Sequence, residues 1–158
     1  MNTTTDTATT TYDFGDGPVP AHRHTNPDGS SGGWVADTAC VGPDAYVGPG
    51  ALVYGDARVY DDARVYDDAR VYDDARVYGD ARIYDEASVF NNARVYDDAR
   101  VYDEARVYGE ARVYDEASVF NNARVYDDAR VCDEASVFNN ARVYDDARVC
   151  GVRTNGSE

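Results

Sequence analysis

The chain has 158 residues, of which 43% are hydrophobic, so it is long enough for one domain with a narrow core. Its 15 basic residues are all Arg and face 30 Asp and Glu residues, which gives a net charge of −15. This charge argues against direct binding to nucleic acid or to an anionic membrane and favours neutral or basic partners. The sequence also lacks a run of 18 apolar residues that could span a membrane.

Residues 1–34 are predicted to form a mostly irregular leader. Residues 1–11 are mostly Thr and lack the basic and apolar regions of a signal peptide, so we expect them to be disordered and the protein to be cytoplasmic. The rest of the leader is rich in Gly and Pro. Its aromatic residues Tyr12 and Phe14, together with Trp34, are expected to pack across the start of the following repeats and cap them.

His22 and His24 form a His-x-His motif in the leader. Imidazole nitrogens bind transition metals, and Asp16 or Asp28 could add a carboxylate ligand. Two histidines are too few for a closed ligand set. They are therefore only weak metal candidates, and we expect no cofactor.

From residue 35 to residue 148 the chain is an uninterrupted hexapeptide repeat, in which nineteen consecutive hexads fit Val/Ile-x-x-x-Ala-x. An α-helix would turn about 600° in six residues and scatter the Val positions, which excludes a helix. The order Ala-Arg-Val-Tyr instead alternates like a short strand. Asp-Asp, Gly-Asp and Asn-Asn pairs follow and predict corners, because these residues tolerate tight turns and left-handed backbone.

This pattern resembles the hexapeptide-repeat superfamily, whose consensus is an aliphatic residue, two turn positions and a small residue four places on. The resemblance covers residues 35–148 and implies an all-β, left-handed parallel β-helix, a triangular solenoid with three hexads in each coil. Nineteen hexads give about six coils, or ~30 Å at ~4.8 Å per coil. Val and Ala would point inward, and each buried Val would contribute ~1.5–3 kcal/mol. Residues 149–158 break the pattern and are predicted to form a C-terminal tail.

Alignment of the sequence at intervals of 18 residues sorts the outward residues into columns. One side combines an unbroken Arg column with a Tyr column and is the candidate interaction face, which consists of Arg58, Arg76, Arg94, Arg112, Arg130, Arg148, Tyr60, Tyr78, Tyr96 and Tyr114. Tyr and Arg are enriched at protein interfaces. The columns also have a purely structural interpretation, since aromatic side chains stack on adjacent strands and Arg can lie across Tyr or reach corner carboxylates.

Acidic residues are predicted to stack at the corners, for example Asp67 and Asp68 beneath Asp85 and Glu86. Two unit charges ~4.8 Å apart in water repel by ~0.9 kcal/mol. We therefore expect Arg, or alternatively a cation such as Ca²⁺, to screen these corners.

Cys132 and Cys150 are 18 residues apart, which predicts adjacent coils with Cα atoms ~4.8 Å apart, inside the range of a disulfide. A cytoplasmic setting and parallel side chains favour two stacked thiols, and the disulfide is the alternative. Cys40 has no partner in register.

Catalysis is disfavoured by what the repeats lack. Many members of the superfamily that the chain resembles are acyltransferases with a His general base, and the γ-class carbonic anhydrases of the same fold use three His ligands. Residues 35–148 contain no His and no inserted loop. Proton transfer needs a base with a pKa near neutrality, so we expect no catalytic residue.

The sequence thus favours a non-enzymatic structural or protein-binding solenoid, a class that fits an origin in a phage or other mobile element. Its partner would be another protein or a second copy, and the resemblance implies a homotrimer. One alternative is an acidic nucleic-acid mimic that inhibits a DNA-binding enzyme, although the interspersed Arg residues argue against it. The other is a degenerate acyltransferase. Ice binding is disfavoured because the columns carry Arg and Tyr in place of Thr.

Overall fold

The computed structural model describes residues 9–151 and 153–155, which form an all-β parallel solenoid with three sides. Strands one coil apart pair in parallel, and residues 18 positions apart are neighbours, as with Val59 and Val77. Each side contains seven parallel strands, so the solenoid has about seven coils. The predicted fold class is confirmed. The coil count rises from about six because the end of the leader starts the first coil and the tail completes the last.

One sheet has nine strands, of which the first two precede the solenoid: β1 (Thr11–Asp13), β2 (Pro18–Thr25), β3 (Ser31–Ala36), β6 (Leu52–Val53), β9 (Arg70–Val71), β12 (Ser88–Val89), β15 (Arg106–Val107), β18 (Arg124–Val125) and β21 (Arg142–Val143). The second sheet has seven: β4 (Cys40–Val41), β7 (Arg58–Val59), β10 (Arg76–Val77), β13 (Arg94–Val95), β16 (Arg112–Val113), β19 (Arg130–Cys132) and β22 (Arg148–Cys150). The third also has seven: β5 (Tyr46–Val47), β8 (Arg64–Val65), β11 (Arg82–Ile83), β14 (Arg100–Val101), β17 (Ser118–Val119), β20 (Ser136–Phe138) and β23 (Arg153–Asn155).

The core is a column of small and β-branched side chains. Every repeat Ala and every repeat Val or Ile from Ala45 to Val137 has an exposed fraction of 0%. Val fits the pleat of a strand, and Ala leaves room for the neighbouring side of the narrow prism. The Arg and Tyr positions alternate with this buried set and therefore face outward.

Each corner begins with a residue in the left-handed backbone conformation. Asp and Asn at this position have φ between 52° and 58°, and Gly55, Gly79 and Gly109 have φ between 66° and 69°. Asn, Asp and Gly are the residues that enter this region at least cost. The predicted corners are therefore confirmed.

The leader contains more strand than the sequence predicted. β1, β2 and β3 pair antiparallel and are separated by irregular segments at residues 14–17 and 26–30. Pairing of β2 with β3 satisfies backbone groups that an irregular leader would leave open at the edge of the sheet. The disorder expected for residues 1–11 concerns mostly residues 1–8, which lie outside the described residues, whereas Thr11 belongs to β1.

Aromatic residues of the leader cap the first coil, as predicted. Tyr12 stacks on Trp34 with ring centroids 4.9 Å apart, and Phe14 stacks on Tyr54 at 4.8 Å. The guanidinium of Arg23 lies 4.8 Å from the centroid of the Trp34 ring on its other partner side chains' sheet, which adds a cation–π contact. These contacts continue the aromatic stacking of the coils into the leader.

Asn26 completes the cap by taking the place of a strand. It is buried, its Oδ1 accepts a hydrogen bond from the Val47 N–H at 2.8 Å, and its Nδ2 donates to the Val47 carbonyl at 3.1 Å. One side-chain amide therefore satisfies both backbone groups of an edge residue.

The predicted tail also contains a strand. β23 pairs with β20, and Arg153 is opposite Ser136, 17 residues away, where the coils below have a spacing of 18. The parts of the tail at residues 152 and 156–158 lie outside the described residues. Within the described part of the chain, no helix is long and apolar enough to cross a membrane.

Candidate functional site

The second sheet presents the predicted interaction face, which we call the Arg58 face. Its Arg column is continuous, because Arg58, Arg76 and Arg94 are register partners and the series continues through Arg112, Arg130 and Arg148. The structure thus brings all the predicted Arg residues together on one side of the solenoid. Four of the six are exposed, and Arg94 and Arg112 are partly exposed.

Tyr60, Tyr78, Tyr96 and Tyr114 form the Tyr60 column beside these Arg residues. Their rings are nearly parallel, with interplanar angles of 2° and centroids 4.9–5.0 Å apart. Parallel strands place identical residues directly above each other, and ring stacking then restricts their rotamers. The column is therefore a rigid, half-buried strip.

The environment of the aromatic columns opposes ionisation of Tyr. Burial raises the pKa of Tyr78 and of Tyr96, and mutual repulsion between stacked phenolates adds to the effect. On the neighbouring side the same causes raise the pKa of Tyr84 to about 12. These phenol groups stay neutral hydrogen-bonding groups at physiological pH.

The Arg column does not screen the corners by direct contact, contrary to one expectation from the sequence. Among residues 9–151 and 153–155, the only ion pair within 4.0 Å joins His22 to Asp37, and no Arg of the repeats lies over a Tyr ring. The flat sides separate the Arg column from the acids of the corner that follows. The guanidinium groups of the Arg58 face are therefore available to other molecules.

The first acid of a corner pair is bonded to the next coil instead. Asp61 Oδ2 accepts from the Gly79 N–H at 3.3 Å, and Asp115 Oδ2 accepts from the Asp133 N–H at 3.3 Å. A carboxylate that accepts a backbone N–H is stabilised in its charged form, which offsets repulsion along the corner. The sequence analysis did not foresee this role.

The second acid of each pair is exposed and forms a further column that the sequence analysis missed. At the corner that ends the Arg58 face this column is unbroken, and we call it the Asp62 column: Asp44, Asp62, Asp80, Asp98, Glu116 and Glu134. The signal was present in the 18-residue alignment. Like the Arg column, it repeats once in every coil.

The other two sides have interrupted columns. On the third sheet Ser118 and Ser136 replace Arg, and on the first sheet Ser88 does so. Each of these hexads also has Phe in place of Tyr and an Asn-Asn pair in place of two acids. At Ser88 the missing Arg leaves a polar groove of ≈420 Å³, which is lined by Asp68, Arg70, Glu86, Ser88, Glu104 and Arg106. The Arg58 face alone has both columns complete.

The two candidate metal ligands in the leader have different environments. His22 is exposed, and its Nδ1 lies 2.8 Å from Asp37 Oδ1. His24 is buried, and its Nε2 lies 2.9 Å from the Ala45 carbonyl oxygen. The Asp28 carboxylate accepts hydrogen bonds from Ser30 instead, which lower its pKa. The predicted set is thus not brought to one centre, because each member has a structural partner.

Cys132 and Cys150 continue the Tyr60 column and are joined by a disulfide, with Cα atoms 4.6 Å apart. The expected arrangement of two stacked thiols is therefore replaced by its alternative, because direct register across one coil brings the sulfur atoms together. Asp133 lies close to both sulfur atoms, within 4.8 Å. Cys40 is free and exposed, as its lack of a register partner predicted.

Comparison with known proteins supports the repeat architecture. A family model described as YdcK Beta solenoid repeat matches residues 51–66, 63–79 and 69–85. These segments overlap and are similar to that repeat over about two coils. No curated protein sequence matches the chain. The match and the fold together show a β-solenoid repeat protein.

Proposed function

We propose that this β-solenoid repeat protein is a non-catalytic scaffold that binds protein through its Arg58 face. The observation that carries the proposal is the unbroken column of Arg residues without ion pairs beside a column of stacked Tyr residues. Arg and Tyr are the residue types that contribute most to binding at protein interfaces.

The rigidity of the face supports the same function. Each Tyr of the Tyr60 column is held by stacked neighbours, and the backbone beneath is bonded from coil to coil. Side chains that are already ordered lose little conformational entropy on binding. A flat, pre-ordered strip suits contact with another regular surface.

The finer assignment to the hexapeptide-repeat superfamily is part of this proposal. The uninterrupted period of six residues from residue 35 to residue 148 supports it, as does the inward pair of Val and Ala. The resemblance would also give the solenoid its left hand. Under this assignment the chain would be a member that uses its sides for binding.

Affinity capture with matched face variants tests the proposal. The native chain, R94E/R112E on the Arg58 face and R82E/R100E on the third sheet would each be immobilised and exposed to extract of the host cells. We expect a specific protein, or the chain itself, to be retained by the native chain and by R82E/R100E but lost from R94E/R112E. Equal retention by all three, or retention by none, would contradict the proposal.

A further inference from the structure

The order of residues across the Arg58 face is polar. In each coil the chain passes first through the Arg, then through the Tyr, and ends at the acidic corner, as in Arg94, Tyr96 and Asp98. The positive column therefore follows one edge of the face and the Asp62 column follows the opposite edge. The Tyr60 column lies between them.

The two charged columns have the same spacing. Five successive coils contain one member of each, in the pairs Arg58 and Asp62, Arg76 and Asp80, Arg94 and Asp98, Arg112 and Glu116, and Arg130 and Glu134. Both columns advance by one coil, ~4.8 Å, at each step. A second copy of the chain is a surface whose charges have this spacing by construction, so every coil can make the same contact.

Symmetry decides which arrangement of two copies is favourable. A two-fold axis parallel to the solenoid axis reverses the order of the columns across the face but keeps the height of each coil. The Arg column of each copy then lies over the Asp62 column of the other. A two-fold axis along the strands keeps the order across the face and places Arg over Arg, which is repulsive.

We propose that the Arg58 face binds the same face of a second copy, with the two solenoids parallel and related by a two-fold axis along their length. This inference rests on the proposed function and names its partner. The Tyr60 columns of the two copies meet near the axis, so that each Tyr faces its own counterpart. Arg94 of one copy pairs with Asp98 of the other, and the reverse contact is equivalent.

The size of the face sets the expected strength. Five coils extend over ~24 Å, and the four residues of each side cover ~13 Å, so the flat contact is well below the ~800 Å² per partner of a standard interface. The net charge of −15 on each copy opposes association. We therefore expect a weak dimer that forms at high chain concentration and depends on the matched charges.

Charge exchange in mixed variants tests the pairing. We expect R94E/R112E alone and D98R/E116R alone to be monomers in analytical ultracentrifugation, because each places like charges opposite each other at four positions. An equimolar mixture restores opposite charges at each of these positions and is expected to form a heterodimer at least 10-fold tighter than either variant's self-association. Circular dichroism checks that both variants fold. No recovery in the mixture would overturn the inference.

Cysteine cross-linking tests the orientation in a C40S background. Parallel packing brings each position of the Tyr60 column to itself, so Y78C alone and Y114C alone should each give a disulfide dimer on mild oxidation. Antiparallel packing centred on the same five coils would instead cross-link Y78C to Y114C only in a mixture. Y102C, in the column of the third sheet, is the matched control and should stay monomeric.

The two proposals can fail separately. A native chain that stays monomeric up to about 1 mM, the affinity limit tested, would overturn the dimer. If R94E/R112E still loses a different captured protein in that case, the binding function of the face stands. Loss of neither self-association nor capture in R94E/R112E would overturn both.

Discussion

Asp103 accepts a hydrogen bond through Oδ2 from the backbone N–H of Asn121, one coil further along, at 3.1 Å. Asp103 itself has φ of 56°, so one residue both turns the corner and bonds to the coil above it. The corners therefore contribute to cohesion between coils as well as to the change of direction.

Replacement of Asp103 by Ala should lower the free energy of unfolding by about 1–3 kcal/mol. The substitution removes the hydrogen bond and places a residue with poor tolerance of left-handed backbone at the corner. Urea denaturation measures the effect. D103N should be close to native, since Asn occupies equivalent corners at Asn91 and Asn121. E104A, at the exposed second position, is the control, and an equal loss there would contradict this account.

The disulfide between Cys132 and Cys150 predicts one reactive thiol per unfolded chain, that of Cys40. Thiol titration in denaturant without reductant measures this number, and three thiols would contradict the bridge. Because the bond closes a loop of 18 residues, we expect C132S to lose about 3 kcal/mol of stability. C40S should leave stability unchanged.

The raised pKa values of the stacked Tyr residues predict a loss of stability in alkali. Tyr84 titrates near 10 in the unfolded chain and at about 12 in the fold, so the folded state holds its proton more tightly. Stability is then fully present below pH 10 and falls as pH rises from 10 to about 12. Thermal unfolding across this range measures the slope.

Y84F provides the matched variant for the alkaline transition. Phe occurs naturally in the same column at Phe120 and Phe138, where the rings stack at 5.3 Å. We expect Y84F to fold normally and to show a shallower loss of stability above pH 10. An unchanged slope in Y84F would show that this phenol does not contribute.

Loss of the side-chain cap at Asn26 should expose the first coil. N26A leaves the N–H and carbonyl of Val47 without their partner and should lower the free energy of unfolding by about 1–3 kcal/mol. Hydrogen exchange should locate the increase at β5, because the defect is at the edge of the sheet. N92A, at an exposed corner, is the control and should change neither quantity.

The repeats were predictable because six-residue periodicity fixes which side chains face inward. Val59 and Ala63 were assigned to the core from spacing alone and are fully buried. The pairing of Cys132 with Cys150 in register followed from the same period. Periodicity also gave the Arg58 face, but it could not show that the guanidinium groups make no ion pairs, since that depends on side-chain reach across the flat side.

The leader was harder to predict because its structure depends on contacts with distant residues. β2 becomes a strand by pairing with β3, and Asn26 acquires its role only when Val47 lies beside it. No local pattern marks either event. His24 is similar, since its place against the Ala45 carbonyl follows from the fold of the leader over the first coil.

The uniform register of 18 residues makes length an independent property of this molecule. Duplication or deletion of one coil's worth of coding sequence would keep the inward pair, the corner bonds and every outward column in place, as between Arg76 and Arg94. Each event would change the rod by ~4.8 Å and nothing else. The protein can therefore serve as a ruler whose graduations are set by recombination within its own gene.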